Sequence, residues 1–191
     1  MDEMRLEQWF NPFYRWSLKG QTPQCQFEQN RNNQQSFFGG LSLKTKKEFI
    51  HLADSQNTTE LISFLEVIKN KYQKEIIERL PKHLERLQEL NLKRFIKAKR
   101  EEPIYKGLIL LFLDGAGFHR SGELKDYLTQ NYGLFELFRF PTYSPDLNPQ
   151  EHVWKALRKH LDQTWCQYSF SQVVDRACFF LKTKKFDYKF I

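Results

Sequence analysis

Two carboxylates of this 191-residue chain stand where the local sequence suits metal or phosphate chemistry. Asp114 closes the apolar run Leu108-Ile109-Leu110-Leu111-Phe112-Leu113 and is followed by Gly115-Ala116-Gly117. Such a run reads as a strand buried on both faces, and open α/β sheets bind ligands at the carboxyl ends of their strands. A carboxylate flanked there by small residues can be approached closely by a metal ion or a phosphate. The competing reading is an aspartate that caps the loop after it. Glu151 lies in Pro141-Thr142-Tyr143-Ser144-Pro145-Asp146-Leu147-Asn148-Pro149-Gln150-Glu151-His152-Val153-Trp154. Asn148 suits an N-cap and Pro149 the first helical position. Glu151, three residues after the cap, either closes a capping box or presents its carboxylate to a ligand. Pro141, Pro145 and Pro149 restrict the approach to it, a preparation that a metal site uses and a capping box does not need. Asp2 is the third candidate and Glu3 its rival; strand alternation sends the two to opposite faces.

The elements that must position these residues can be read from periodicity. Tyr14 to Lys19 reads as extended and residues 24–35 as a Gln/Asn-rich loop. Ser36 to Leu43 and Glu48 to Ala53 read as strands joined in a hairpin by Lys44-Thr45-Lys46-Lys47. Asn57-Thr58-Thr59-Glu60 is a helix start, and Leu61, Phe64, Leu65, Ile68 and Tyr72 recur at helical spacing. The pattern predicts a helix to Leu80, a break at Pro81, and a second helix carrying Leu84, Leu87 and Phe95 toward Arg100. Gly107 to Leu113 and Leu134 to Phe140 are further strands. Short helices are predicted from Ser121, from Pro149 to His160 with Trp154 on the buried face, and from Ser171 to Leu181. This order gives an α/β layer fold with a mixed sheet. It is read as a single domain over 1–191 with a helical insertion at 66–104.

Composition narrows the partner. The longest apolar run has six residues, far short of the roughly 20 a membrane span needs. Met-Asp-Glu-Met-Arg shows no apolar core of the kind a signal peptide carries. Cys25, Cys166 and Cys178 show no CxxC spacing, which fits a reducing cytoplasm. The net charge is +7, distributed as zero over residues 1–65, +5 over 66–106, −3 over 107–151 and +5 over 152–191. A polyanion binder has no use for an acidic stretch between two basic ones unless those carboxylates bind metal or stay away from the backbone; the competing reading is that surface charge simply fluctuates along the chain. Lys93, Arg94, Lys97, Lys99 and Arg100 are candidates for gripping a DNA backbone, although a solvated helix face also accounts for them.

Three blocks of this sequence resemble the catalytic domain of DDE transposases of bacterial insertion sequences, in the mariner-like superfamily. They are Met1-Asp2-Glu3-Met4-Arg5 with Arg15 to Gly20, Leu113 to Ser121, and Pro141 to Trp154; 36 residues separate Asp114 from Glu151. The resemblance implies a ribonuclease-H-like fold with Asp2 on the first strand, Asp114 on its neighbour and Glu151 on a helix. These three would hold two Mg²⁺ ions, or Mn²⁺, for cleavage of transposon ends and strand transfer to target DNA. Asp2 would bridge both ions, and no covalent enzyme intermediate would form. His119 and Asn148 belong to the matched blocks as support, with His119 either orienting water or phosphate or making a structural bond in its loop; Asp146 reads as a turn residue. The implied partners are DNA and a second copy of the chain, with residues 11–35 in the place of a dimer arm. The family's amino-terminal helix-turn-helix and the residues leading into the first Asp have no counterpart here, so an upstream transposase half is a further expected partner. Two alternatives are a non-catalytic DNA-binding or dimerisation remnant of a truncated transposase and a nuclease acting on RNA–DNA hybrids; the block ending in Glu151 disfavours the latter.

Overall fold

The structure is a computed structural model that describes residues 1–8, 19–20, 32–96, 106–141, 147–162 and 168–187. It gives five strands and five helices among these residues, in two compact units. One unit is Asn57–Leu147 with Met1; the other is discontinuous, Asp2–Gln56 with Asn148–Ile191. The α/β class expected from the sequence is observed, with antiparallel and parallel strand pairing both present.

The discontinuous unit is a three-stranded antiparallel meander, β1 (Asp2–Glu7), β2 (Gln34–Leu41) and β3 (Glu48–Ala53), with α4 (Pro149–Asp162) and α5 (Phe170–Thr183). Along β1, Asp2, Met4 and Leu6 are buried while Arg5 and Glu7 are exposed, so alternation sets Asp2 on the core face and Glu3 on the other. Strand β2 begins at Gln34, two residues before the expected start. Gln34 and Gln35 pair with Glu7 and Leu6, and the Gln35 amide donates to the Ala53 carbonyl at 2.9 Å. Strand pairing satisfies the backbone there whatever the side-chain composition. Helix α4 contributes Val153, Trp154, Leu157 and Leu161, and α5 contributes Val173, Ala177 and Leu181; they close on Met4, Leu6 and Phe37. These positions recur every three or four residues, the stripe that a helix buries. Trp154 is core, as its spacing predicts. Ser169 and Gln172 form a capping box at the start of α5.

The contiguous unit holds α1 (Thr58–Lys71), α2 (Gln73–Ile96), β4 (Ile109–Leu113), α3 (Gly122–Gln130) and β5 (Phe135–Arg139). Asn57 caps α1 by accepting from the Glu60 N–H at 2.9 Å, and Leu61, Phe64, Leu65 and Ile68 are its buried stripe. The Tyr127 hydroxyl of α3 donates to Glu66 of α1 at 2.8 Å. Gly133, at φ +78°, turns the chain into β5; a side chain there would meet Leu84 of α2 at 2.5 Å.

Two sequence expectations are corrected in this unit. The break between the insertion helices falls at Tyr72, and Pro81 lies inside α2. The Tyr72 N–H closes the last turn of α1 on the Ile68 carbonyl at 3.1 Å. Pro81 removes one bond to the carbonyl of Ile77, but both residues are exposed, so water takes that carbonyl and the helix continues. Second, β4 is not buried on both faces. Leu113 is buried, but Ile109, Leu110 and Leu111 are half-buried and Phe112 is 43% exposed. β4 pairs in parallel with β5, and Phe112 stacks on Phe138 at 5.2 Å; this cross-strand stack, and not a covering layer, carries that position. Residues 14–18 of the expected extended segment Tyr14 to Lys19, residues 24–31 of the polar loop, Asp146, Lys97, Lys99 and Arg100 lie outside the described residues, as do the side chains of Lys93 and Arg94.

Replacing Pro81 by Ala restores a hydrogen bond in mid-helix. It is expected to raise the stability of the chain by about 1–3 kcal/mol. Urea unfolding of the variant checks this; no gain would mean that the helix is already interrupted there.

Candidate active site

Asp2 is 7% exposed on the core face of β1. Its Oδ1 accepts from the Glu3 N–H at 2.9 Å. Its Oδ2 accepts from the Asn148 side-chain amide at 3.1 Å, a buried bond between residues 146 apart in the chain. Asn148 also starts α4: its Oδ1 accepts from the Gln150 N–H at 3.1 Å, and its backbone carbonyl accepts from the Glu151 N–H at 3.1 Å. One carboxamide therefore donates to the carboxylate and caps the helix.

Glu151 is half-buried in the first turn of α4. The capping box that the sequence allows does not form, because the Asn148 side chain bonds the amide of Gln150 and not that of Glu151. Among the described residues the Glu151 carboxylate makes no hydrogen bond. An acidic group near a helix amino terminus is favoured by the helix dipole, so the position suits a carboxylate whose oxygens stay open to a ligand.

Asp114 follows directly on β4, with its side chain 47% exposed. Oδ1 accepts from the Ala116 N–H at 3.1 Å, the loop-capping role that the sequence allows. The same oxygen lies 3.1 Å from Nδ1 of His119, whose side chain is fully buried. Nδ1 is also 3.2 Å from the Asp114 carbonyl. The ring sits edge-on to Phe118, at 4.4 Å between centroids. His119 thus makes the structural bond within its loop and fixes the Asp114 carboxylate by one oxygen, leaving the other without a hydrogen bond among the described residues. Asp2, Asn148 and Glu151 belong to the discontinuous unit, and Asp114 and His119 to the contiguous one.

The sequence reading missed Glu48 and Gln150. Gln150 is 1% exposed, and its side-chain amide donates to Glu48 Oε1. Oε2 of Glu48 and Oε1 of Gln150 are buried with no partner. Burial pushes the Glu48 carboxyl from 4.5 up to about 8, against the lowering effect of the Gln150 amide and the Gly40 backbone. The one signal in the sequence was Gly39-Gly40 inside a strand, which marks close approach by another element. A side chain at Gly39 would collide with the Trp154 indole and lie 2.6 Å from Gln150 Nε2.

Residues 1–169 match the sequence profile of a family described as DDE superfamily endonuclease. The match agrees with the resemblance carried by the three sequence blocks. Among solved structures the chain is similar to one described as a pre-cleavage Mos1 transpososome, at 14% identity and TM-score 0.47, covering 95% of this chain and 51% of that one. It is also similar to the Mos1 strand transfer complex, at 17% identity and TM-score 0.39, covering 95% of this chain and 50% of that one. The chain therefore spans about half the length of these structures. No curated protein matches it.

Glu48 makes stability depend on pH. Its folded value lies above 4.5, so the folded state holds a proton that the unfolded chain releases. This contribution is fully present below about pH 4.5 and is lost as pH rises toward 8. The melting temperature of the wild type is expected to fall between pH 5.5 and 8.5 by a component missing from Glu48→Gln; parallel curves for the two proteins would place the carboxyl in water.

Proposed function

The chain belongs to the DDE superfamily endonucleases, and from that membership we propose that it is the catalytic domain of a metal-dependent DNA transposase. Asp2, Asp114 and Glu151 act together as the metal ligands. The observation that carries the proposal is the state of the Asp114 and Glu151 oxygens: Glu151 makes no hydrogen bond among the described residues, and Asp114 has only one oxygen engaged, by Ala116 and His119, while Asp2 is held in place by Glu3 and Asn148. Carboxylate oxygens of this kind suit a hard cation such as Mg²⁺, with Mn²⁺ as a substitute. Two such ions, when bound, supply Lewis-acid stabilisation of charge on the phosphate oxygens and lower the pKa of the attacking water.

The residues of the chain do the positioning. Asn148 fixes Asp2 by its Oδ2. His119 and the Ala116 N–H fix Asp114 by Oδ1. In the first step water attacks a phosphodiester at the transposon end, and the DNA 3′-oxygen leaves and takes a proton. In the second, that 3′-hydroxyl attacks a target phosphodiester and a target 3′-oxygen leaves, so no bond to the protein forms. The whole of 1–191 is one catalytic domain in this reading, with residues 66–104 an insertion. Lys93, Arg94, Lys97, Lys99 and Arg100 contact DNA backbone, the working form is a homodimer, and the setting is the cytoplasm. No helix among the described residues is long and apolar enough to cross a membrane.

Divalent metal is expected to raise the melting temperature of the wild type, because it binds the native carboxylates better than the unfolded chain. Asp114→Asn is expected to lose that gain and any nicking of supercoiled DNA. An equal metal response in both proteins would remove Asp114 from the ligand set and, with it, this mechanism. DNA binding is expected to be weak, to show little sequence preference, and to fall steeply between 50 and 200 mM salt. A salt titration by fluorescence anisotropy on unrelated duplexes measures this. Binding that survives in Asp114→Asn while wild-type metal response is absent would favour a non-catalytic DNA-binding remnant.

A further inference from the structure

The buried pair beneath the first turn of α4 calls for an explanation that stability does not give. Glu48 and Gln150 spend one hydrogen bond on each other, yet each keeps a buried oxygen without a partner. An apolar pair of the same size would avoid that cost, and replacing buried polar pairs by well-packed apolar residues is often neutral or stabilising. What an apolar pair lacks is direction. Leucine side chains permit a helix to rotate and slide; a hydrogen bond to a fixed strand residue sets its rotation about the axis.

The geometry around the pair serves that purpose. Asn148 ties the start of α4 to β1 through Asp2. Gln150, two residues on, ties it to β3 through Glu48. Between these tethers lies β2, where the absence of a side chain at Gly39 lets Gln150 and Trp154 come against the strand. Pro149 fixes φ between Asn148 and Gln150. Glu151 is the next residue. A carboxylate carried about 6 Å from a helix axis moves roughly 2 Å for a rotation of about 20°, whereas a metal ligand must be held within about 0.5 Å.

We propose that Glu48 is a positioning residue: through its hydrogen bond to Gln150 it sets the rotation of the first turn of α4 and so the direction in which Glu151 offers its carboxylate to metal. The role rests on the reading of Glu151 as a metal ligand. Burial holds the Glu48 carboxyl neutral at neutral pH, so it steers Glu151 without setting a further negative charge beside it.

The test uses the full chain, Mn²⁺ alone as probe, and two readouts: Mn²⁺ affinity by calorimetry, and hydrogen exchange at the amides of Gln150 and Glu151. Glu48→Leu keeps volume and removes the bond; Glu48→Gln keeps an acceptor for the Gln150 amide. Glu48→Leu is expected to weaken Mn²⁺ binding about tenfold, the usual cost of losing an outer-sphere support. Exchange at the two amides is expected to speed up about tenfold, and Glu48→Gln to stay near wild type in both. Glu48→Leu/Gln150→Leu, an all-apolar pair, is expected to recover melting temperature and not Mn²⁺ affinity. If Glu48→Leu does not fold, Gln150→Met breaks the same bond from the helix side and takes its place with the same expectation. Wild-type Mn²⁺ affinity in the bond-breaking variant overturns the positioning role and leaves the metal reading standing. A loss of affinity that returns with melting temperature in the double variant makes the pair merely structural. A wild type that does not bind Mn²⁺ removes the metal reading itself.

Discussion

The bond from Asn148 to Asp2 is the constraint on which the helix side of the site depends. It is buried at both ends, where a polar group left without a partner is costly. The carboxamide of Asn148 donates to the carboxylate with its nitrogen and accepts a helix N–H with its oxygen. An aspartate at 148 would set a second negative charge against Asp2, and an alanine would leave Oδ2 of Asp2 without this partner. The start of α4, the orientation of Asp2 and the place of Glu151 therefore share a single side chain. The core follows from the same placement, because Val153, Trp154, Leu157 and Leu161 project from the helix that Asn148 begins.

Much of this was legible in the sequence because it is local. The Asn57 cap, the stripe of α1, the start of α4 at Pro149 and the alternation of Asp2 and Glu3 each need only a few neighbouring residues. The three blocks around Asp2, Asp114 and Glu151 were enough to indicate the family. What failed depended on partners distant in sequence or on water. Gln34 and Gln35 became strand because Glu7 and Leu6 pair with them. Pro81 stayed in a helix because solvent covers the carbonyl it strands. Phe112 is partly open because the apolar run said nothing of what lies over the sheet. Glu48 went unnoticed because its partner is 102 residues away.

Acidic residues serve two distinct purposes here. Asp114 and Glu151 are half-buried and keep oxygens without a hydrogen bond among the described residues. Glu48 is buried, where the neutral acid is favoured, and it accepts a hydrogen bond from the Gln150 amide. Residue type alone does not separate these uses. Depth does, and at Gly39 the absence of a side chain lets α4 settle directly on β2.

The discontinuous unit imposes an order on synthesis. Its meander is made before the 91 residues of the contiguous unit, and α4 and α5, which supply most of its core, are made after them. Until then Phe37, Met4 and Leu6 have no helix to cover them, and Asp2 has no Asn148. Folding of the intervening segment shortens the effective loop that must be closed and lowers its entropic cost. Between synthesis of the meander and of α4 a nascent chain thus carries an uncovered apolar sheet, an interval in which a holdase chaperone has a surface to bind, and the carboxylate on β1 gains its amide partner only once Asn148 has been made.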